Sequence, residues 1–338
     1  MFSKDRLEQA IKDGWIQVQK HPEYPWYIYN YTQKTQYEKH WNELTLSCRG
    51  LILNENYEIV ARPLPKFFNW EELNDDQIPK LGFEVFEKLD GSLGILYWVN
   101  NEPYIATRGS FNSLQAKKAN ELLYTKYKNL IKNLNPRNTY LFEIIYPENR
   151  IVVNYGSREE LVLLAIIETF TGKELSMDDL GFPRAKRIFG INSMKDMNKH
   201  YDLLNEGFVI KFSNGFRIKA KFPEYIRLHK IITEVSSISL WEDLKNGKPL
   251  EDLLKNIPDE IFQWVKEKRN KLTDHYLEIE NQCKKDFKIL NSRKETASYF
   301  LTCSYPKVLF SMLDRRDYSP IIWKIIKPDF EKPLTNKF

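Results

Sequence analysis

Cysteine is scarce in this chain of 338 residues: Cys48, Cys283 and Cys303 stand far apart, with no C-x-x-C pair. Neither a disulfide framework nor a cysteine-based zinc cage can be built from them, and a reducing, cytoplasmic compartment is expected. Histidine is as thin, and the five residues (His21, His40, His200, His229 and His275) show no ligand spacing. Long apolar runs are missing as well. The longest, LVLLAII at Leu161–Ile167, falls far short of the roughly 20 residues that cross a bilayer, so no membrane partner is expected. The N-terminal MFSKDRLEQAIK reads as an amphipathic helix of mixed charge rather than a secretory leader. No G-x-x-x-x-G-K-[ST] occurs, which excludes a P-loop kinase site. There is no internal repeat and no Gly/Ser-rich or Pro-rich linker.

What is present describes a folded chain. Apolar residues make up 42% and aromatic residues 14% of the sequence, enough for ordinary cores, while 29% charged residues give a hydrated surface. Mean hydropathy is −0.54 and the pI about 8.8. The net charge of +5 suits a polyanionic partner without demanding one. From about Ile16 to Phe222, short strand-like runs dominate: LILNENYEIVARP, FEVFEK, LGILYWV, YIATRG, YLFEIIYP, RIVVNYG, LVLLAIIE, GFVIKF and FRIKAKF. Helical spacing interrupts them at Ser113–Leu134 and Ser193–Leu204. From Ser237 onward apolar residues recur at three- and four-residue intervals and alternation ends. The expected class is α+β, with antiparallel sheets and flanking helices over residues 1–235 and a smaller all-α domain over 236–338.

Two stretches carry candidate chemistry. EKLDGS (Glu87–Ser92) puts a lysine beside Asp90 and Gly91 at the mouth of a strand pair; alone, K-x-D-G is an ordinary turn. In EGFVIKFSNGFRIKAKF (Glu206–Phe222), Asn214-Gly215 between alternating runs predicts a two-residue hairpin turn. That register pairs Ile210 with Lys219 and Phe208 with Lys221. It gathers Glu206, Phe208, Ile210 and Phe212 on one face with Arg217, Lys219 and Lys221, and leaves Val209 with Phe216, Ile218, Ala220 and Phe222 on the core face. A carboxylate among cations and apolar groups would line a nucleotide triphosphate site; a solvated cationic edge strand is the plainer alternative.

Taken in order, SCRG (Ser47–Gly50), RPLPKFFNWEE (Arg62–Glu72), EKLDGS, TRGS (Thr107–Ser110), FEIIYPENRIVVNY (Phe142–Tyr155), EGFVIKF and RIKAKF resemble the bacteriophage-type RNA ligase 1 family of covalent lysyl nucleotidyltransferases. The resemblance runs from about residue 45 to 230. It implies a nucleotidyltransferase (ATP-grasp-like ligase) fold and ATP-dependent joining of RNA 5′-phosphate and 3′-hydroxyl ends. The route would pass through lysyl-AMP and adenylylated RNA, as in RNA repair, and a broken tRNA is one substrate the chemistry would accept. By position, Lys88 is the residue adenylylated. Arg49, Lys66 and Phe68 form an upstream wall, Asp90 holds the loop that aims Lys88, and Gly91 lets the backbone approach the nucleotide. Arg108 is a further basic residue. Glu143 takes the ribose or orients the nucleotide, Glu206 supports Mg²⁺ or Mn²⁺, and Lys219 with Lys221 grips the α-phosphate. Those neighbouring cations, with the metal, are expected to keep the Lys88 amine unprotonated. Lacking a P-loop, such an enzyme would depend on a separate kinase or phosphatase to heal ends. A DNA ligase or a GTP-using capping enzyme shares K-x-D-G but usually continues into an OB barrel where this chain turns helical. A non-catalytic RNA-binding relative would lack a motif residue, and none is missing.

Overall fold

The computed structural model describes residues 3–177, 179–191, 193, 196–197, 205–248 and 259–333. Along the chain, helix α1 (Lys4–Lys12) leads into strands β1 (Ile16–Lys20) and β2 (Trp26–Tyr31). Two short helices, α2 (Gln33–Tyr37) and α3 (Glu43–Ser47), precede β3 (Arg49–Asn54) and β4 (Ile59–Ala61). Then come β5 (Phe83–Lys88), β6 (Ser92–Val99), β7 (Glu102–Thr107), helix α4 (Leu114–Tyr124), β8 (Asn138–Ile145), β9 (Glu160–Glu168), β10 (Glu174–Leu175), β11 (Arg187–Ile188), β12 (Gly207–Phe212) and β13 (Arg217–Lys221). The remaining described elements are helices: α5 (Pro223–Glu234), α6 (Ser237–Lys245), α7 (Asp259–Asp286), α8 (Arg293–Thr302), α9 (Pro306–Leu313) and α10 (Ser319–Ile325).

The strands form three antiparallel sheets, ordered β1-β2-β3-β4, β10-β9-β8-β6-β7 and β11-β5-β12-β13, so the α+β class holds. Period-two alternation on β6 explains how the central sheet is covered on both sides. Ile95, Tyr97 and Val99 join Ile28, Ile52, Ala61 and Ala106 in one core beneath the first sheet. Leu96 faces the other way, into a core with Ile105, Phe142, Leu163 and the α4 residues Ala119, Leu122 and Leu123. Helix α4 starts where Ser113 accepts a hydrogen bond from the Ala116 N–H. It ends at Tyr124, and Lys128–Asn133 continue as 3-10 helix, so the expected helix to Leu134 is broken in two. The Ser193–Leu204 expectation lies largely outside the described residues.

Two local expectations are corrected. RIVVNYG is not a strand: residues 150–156 form a loop. Its apolar side chains are drawn inward because Val152 and Val153 give their N–H groups to a buried carboxylate. The second correction is the β12–β13 register. Phe208 pairs with Ala220, Val209 with Lys219, Ile210 with Ile218 and Lys211 with Arg217. The loop holds three residues, Ser213 to Gly215, with Gly215 at φ +84° and Phe212 N–H bonded to the Phe216 carbonyl. A turn followed by a left-handed glycine is the three-residue alternative to a two-residue hairpin. One extra loop residue flips one strand's faces relative to its partner. Phe208, Ile210 and Phe212 therefore lie with Ile218 and Phe222 in the core, while Val209 and Lys211 share the open face with Arg217, Lys219 and Lys221. The two-residue turn occurs elsewhere: Val99 pairs with Glu102 around Asn100 and Asn101, both at positive φ.

The chain divides into two compact units, Met1–Ile226 and Arg227–Phe338, with the division inside α5. The second unit has its own core of Trp241, Leu272, Ile279, Phe300, Leu309, Ile322 and Trp323, and the Trp241 indole N–H donates to the Trp323 carbonyl at 2.8 Å. No described helix is long and apolar enough to cross a membrane.

Candidate active site

The third sheet is the floor of a cavity of ≈ 210 Å³ in the first unit. Strand pairing arranges the floor in three rows across β5, β12 and β13. Lys88, Gly207 and Lys221 form one row; Phe86, Val209 and Lys219 the next; and Glu84, Lys211 and Arg217 the third. At roughly 3.3 Å per residue, the first and third rows lie about 13 Å apart. Leu64, Leu93, Leu141 and Leu164 supply apolar walls between them, and Tyr31, Arg49, Lys66, Phe67, Arg108 and Glu143 also line the space. Charge stands at both end rows, and the middle row sets Lys219 beside the apolar Phe86 and Val209.

At the first row, Glu206 is 3% exposed and holds two cations. Its Oε2 accepts from Lys88 Nζ at 2.6 Å and its Oε1 lies 2.8 Å from Lys221 Nζ. Gly207 makes this possible. With φ at +145°, a Cβ there would lie 2.1 Å from the Ala220 carbonyl oxygen, so only glycine lets β13 close on β12 beside Glu206. Lys88 thus sits against a carboxylate that it shares with Lys221, a contact not expected from the sequence. The cation driven toward neutrality is Lys219. Burial, followed by the charges of Lys88, Lys66, Lys221 and Arg49, pushes its pKa down to about 7. Glu143 moves the other way: burial pushes it up to about 7, against the pull of Lys88 and with the repulsion of Glu206.

Asp90 and Gly91 act on the loop rather than on the cavity surface. Asp90 is 3% exposed; its Oδ2 accepts from the Val152 and Val153 N–H groups at 2.8 Å each, and its Oδ1 from the Tyr225 hydroxyl at 2.7 Å. The Asp90 N–H donates to the Tyr155 hydroxyl at 2.9 Å. The Gly91 N–H donates to Glu143 Oε1 at 2.9 Å, and a Cβ at Gly91 would lie 2.6 Å from the Ile144 carbonyl oxygen. The glycine is required by packing on β8. Replacing Asp90 by alanine strips three buried donors of their acceptor. We expect a loss of roughly 3–5 kcal/mol in stability, read from the denaturant midpoint, where a surface aspartate would give under about 0.5 kcal/mol.

The upstream wall is in place with one substitution. Arg49 lies 5.7 Å above the Phe67 ring, and Arg108 donates to the Tyr31 hydroxyl at 3.3 Å. Lys66 Nζ stands 4.3 Å from the Phe68 ring centre and 4.9 Å from that of Trp41. Phe68 is not a cavity wall: it packs edge-on against Trp41 and accepts the Lys219 N–H through its carbonyl. Phe67 faces the cavity instead. Of the expected residues, Lys88, Arg49, Lys66, Arg108, Glu143, Lys219 and Lys221 line the cavity, and Glu206 pairs with two of them. Tyr31, Phe67, Tyr155, Tyr225, Glu174 and Lys211 were not legible as site residues, since only tertiary contacts bring them there. Among the described residues no cluster of three or more His, Cys, Asp or Glu side chains could hold a metal by itself.

These features agree with the comparisons. The RNA ligase family model matches residues 47–225, more than half of the sequence, and the chain belongs to that phage-type RNA ligase family. A putative bifunctional polynucleotide kinase/RNA ligase of Autographa californica nuclear polyhedrosis virus is 29% identical over 245 residues, covering 64% of this chain and 35% of that protein. The chain therefore spans about a third of that relative's length. An RNA ligase of Rhodothermus phage RM378 is 24% identical over 342 residues, 77% of this chain and 75% of the relative. Among solved structures, an archaeal ATP-dependent RNA ligase is 16% identical and covers 93% of this chain and 78% of its own, with a TM-score of 0.47. A putative ATP-dependent DNA ligase from Aquifex aeolicus is 13% identical, covers 93% and 100%, and also has a TM-score of 0.47.

Proposed function

We propose that this chain is an ATP-dependent RNA ligase that joins 5′-phosphate and 3′-hydroxyl RNA ends through an adenylate carried on Lys88. One observation carries the reading: the Lys88 amine in the cavity wall is paired with the buried Glu206 carboxylate, which also holds Lys221, and Lys219 lines the same cavity from the same strand as Lys221. Lys88 attacks the α-phosphate and diphosphate leaves; the adenylate passes to an RNA 5′-phosphate; a 3′-hydroxyl then displaces AMP. Each step is a displacement at phosphorus, so positioning and charge neutralisation supply the catalysis and no histidine is needed. Lys219 and Lys221 take phosphate charge. The Asp90 strap fixes the loop that follows Lys88, and Glu206 positions the amine through its 2.6 Å contact.

The donor set fits a hard divalent ion of the Mg²⁺ or Mn²⁺ type, which binds one or two carboxylates and completes its shell with water and substrate phosphates. Glu206, with Glu143 beside it, would hold the ion. When bound it would supply charge neutralisation on the phosphate oxygens. RNA ends bearing 5′-hydroxyls would first need a kinase, the activity that the baculovirus relative's name includes; RNA repair is the setting we infer.

The test is a sealing assay. Single-stranded or nicked RNA with a 5′-phosphate should be joined with ATP and a divalent ion, releasing AMP and diphosphate. Sealing confined to nicked duplex DNA, or transfer from GTP in preference to ATP, would contradict the reading.

A further inference from the structure

A second cleft, of ≈ 270 Å³ against ≈ 210 Å³ for the catalytic cavity, opens at the edge of the first sheet and takes no part in the steps above. Gln17, Val18, Gln19, Ile28, Asn30 and Gly109 line it. Strand pairing explains the grouping. Gln17 of β1 stands opposite Asn30 of β2, and Gln19 opposite Ile28, so these four side chains share one face. Strand β1 is the outermost of its sheet, and Gln17 and Gln19 are exposed. Asn30 differs from them. It is 4% exposed, and its Oδ1 is buried with no hydrogen-bond partner among the described residues. A buried carboxamide oxygen left unpaired is destabilising and rare in a folded chain. The β2–β3 register shifts at this point, between Tyr29 and Asn30, and such bulges re-aim side chains beside functional sites. Gly109 leaves open space, since a Cβ there would meet nothing within 4 Å.

The lining holds no charged side chain. Three carboxamides beside an isoleucine and a valine offer donors, acceptors and apolar surface without charge, which suits the edge and face of a nucleobase and not a phosphate. The place of the cleft adds a direction. Asn30 and Gly109 are the chain neighbours of Tyr31 and Arg108, which line the catalytic cavity and are joined by Arg108 Nη1 donating to the Tyr31 hydroxyl at 3.3 Å. The cleft therefore begins one residue beyond the cavity wall, with a guanidinium at the joint. We propose that it receives the 5′-terminal nucleobase of the RNA strand whose phosphate is to be adenylylated. The inference rests on the ligase reading above and extends it to the RNA. Arg108 takes the 5′-phosphate with its remaining donors. The first base, unstacked at a strand end, turns into the cleft, where Gln17 and Asn30 read its edge and Ile28 supports its face. A strand held at both its phosphate and its first base presents the phosphorus to a 3′-hydroxyl in one orientation. Nothing local in the sequence marks the set, because β1, β2 and the residues after β7 meet only in the fold.

Equilibrium binding of a short 5′-phosphorylated single-stranded RNA, without ATP, tests this apart from the chemistry. Removing the base of the 5′-terminal nucleotide, with its phosphate and ribose kept, should weaken binding to the unmodified protein about tenfold. The Gln17→Ala, Gln19→Ala double variant changes two exposed positions and should fold normally. It should bind intact RNA several-fold more weakly, and its abasic penalty should shrink to about threefold or less, because the coupling between base and carboxamides is gone. Its Lys88 should accept label from ATP at the unmodified rate. An abasic 5′ end that binds as well as intact RNA overturns the proposal, and so does an equal penalty in both proteins. A penalty that the variant relieves only for an abasic 3′ end places the other strand in the cleft and overturns it too. Base-dependent binding that the variant relieves, together with no label on Lys88 from ATP, would leave the cleft standing and overturn the ligase reading instead.

Discussion

Lys88→Ala should lower adenylate transfer from ATP, and with it the sealing of ordinary 5′-phosphate RNA, by at least about four orders of magnitude. No other amine can substitute. Lys221 is engaged on Glu206 Oε1 at 2.8 Å, and Lys219 lies one row further along the floor. The loss should be confined to the steps that use the amine. RNA supplied with its 5′-end already adenylylated needs only the 3′-hydroxyl displacement, so Lys88→Ala should still seal it. Stability should change little, since Glu206 keeps Lys221 as a partner. Loss of both activities together would mean that the substitution damages the cavity, and retention of both would remove Lys88 from the chemistry.

The second large effect is at Lys219, where stability and activity should move in opposite directions. Its pKa is pushed down to about 7 by burial and by the neighbouring cations, while an unfolded lysine titrates near 10.4. The unfolded chain therefore binds more protons than the folded one between those values, and stability rises with pH across that window. The penalty of the buried ammonium is fully present below pH 7 and gone above about pH 10. Lys219→Met keeps the length and removes the charge. It should stabilise the ligand-free protein by a few kcal/mol at pH 6 to 7 and by progressively less toward pH 10. Adenylate transfer should fall by about two to three orders of magnitude, because a phosphate loses a preorganised cation. The same logic predicts proton uptake when nucleotide binds at pH 8, as phosphate restores the ammonium; calorimetry in buffers of different ionisation enthalpy measures it. A destabilised Lys219→Met protein would contradict this account of the site.

Much of this was legible in the sequence. The motif lysines and carboxylates come from strand ends, where alternation and turn residues mark both the element and its mouth; seven of the expected residues, among them Lys88 and Glu143, line one cavity, and Glu206 pairs with two of them. The helices described after Ser237 followed from periodicity alone. What failed was register. Asn-Gly is the strongest short hairpin signal, yet the loop takes Ser213 as well, and a single residue reversed the faces of β12. Phe208 and Ile210 moved into the core, and Lys211 moved into the cavity. RIVVNYG reads as a strand by composition, but the carboxylate that captures its backbone lies 62 residues earlier, at Asp90. The Phe67–Phe68 choice was equally hidden, because adjacent aromatics differ only in which side the backbone turns to the cavity. The charge around Lys88 was misjudged for a related reason. Counting cations in the sequence gives a sum, whereas the surroundings of each depend on which carboxylate it touches, and Glu206 touches Lys88 at 2.6 Å.

The central claim is that one side chain, Lys88, becomes the covalent carrier of the nucleotide. Mass spectrometry of the intact protein after incubation with ATP and a divalent ion, followed by peptide mapping, tests it directly. The account predicts one added adenylate per chain, located on the peptide containing EKLDGS and discharged by 5′-phosphorylated RNA. An unmodified protein, or an adenylate on any other residue, would contradict it.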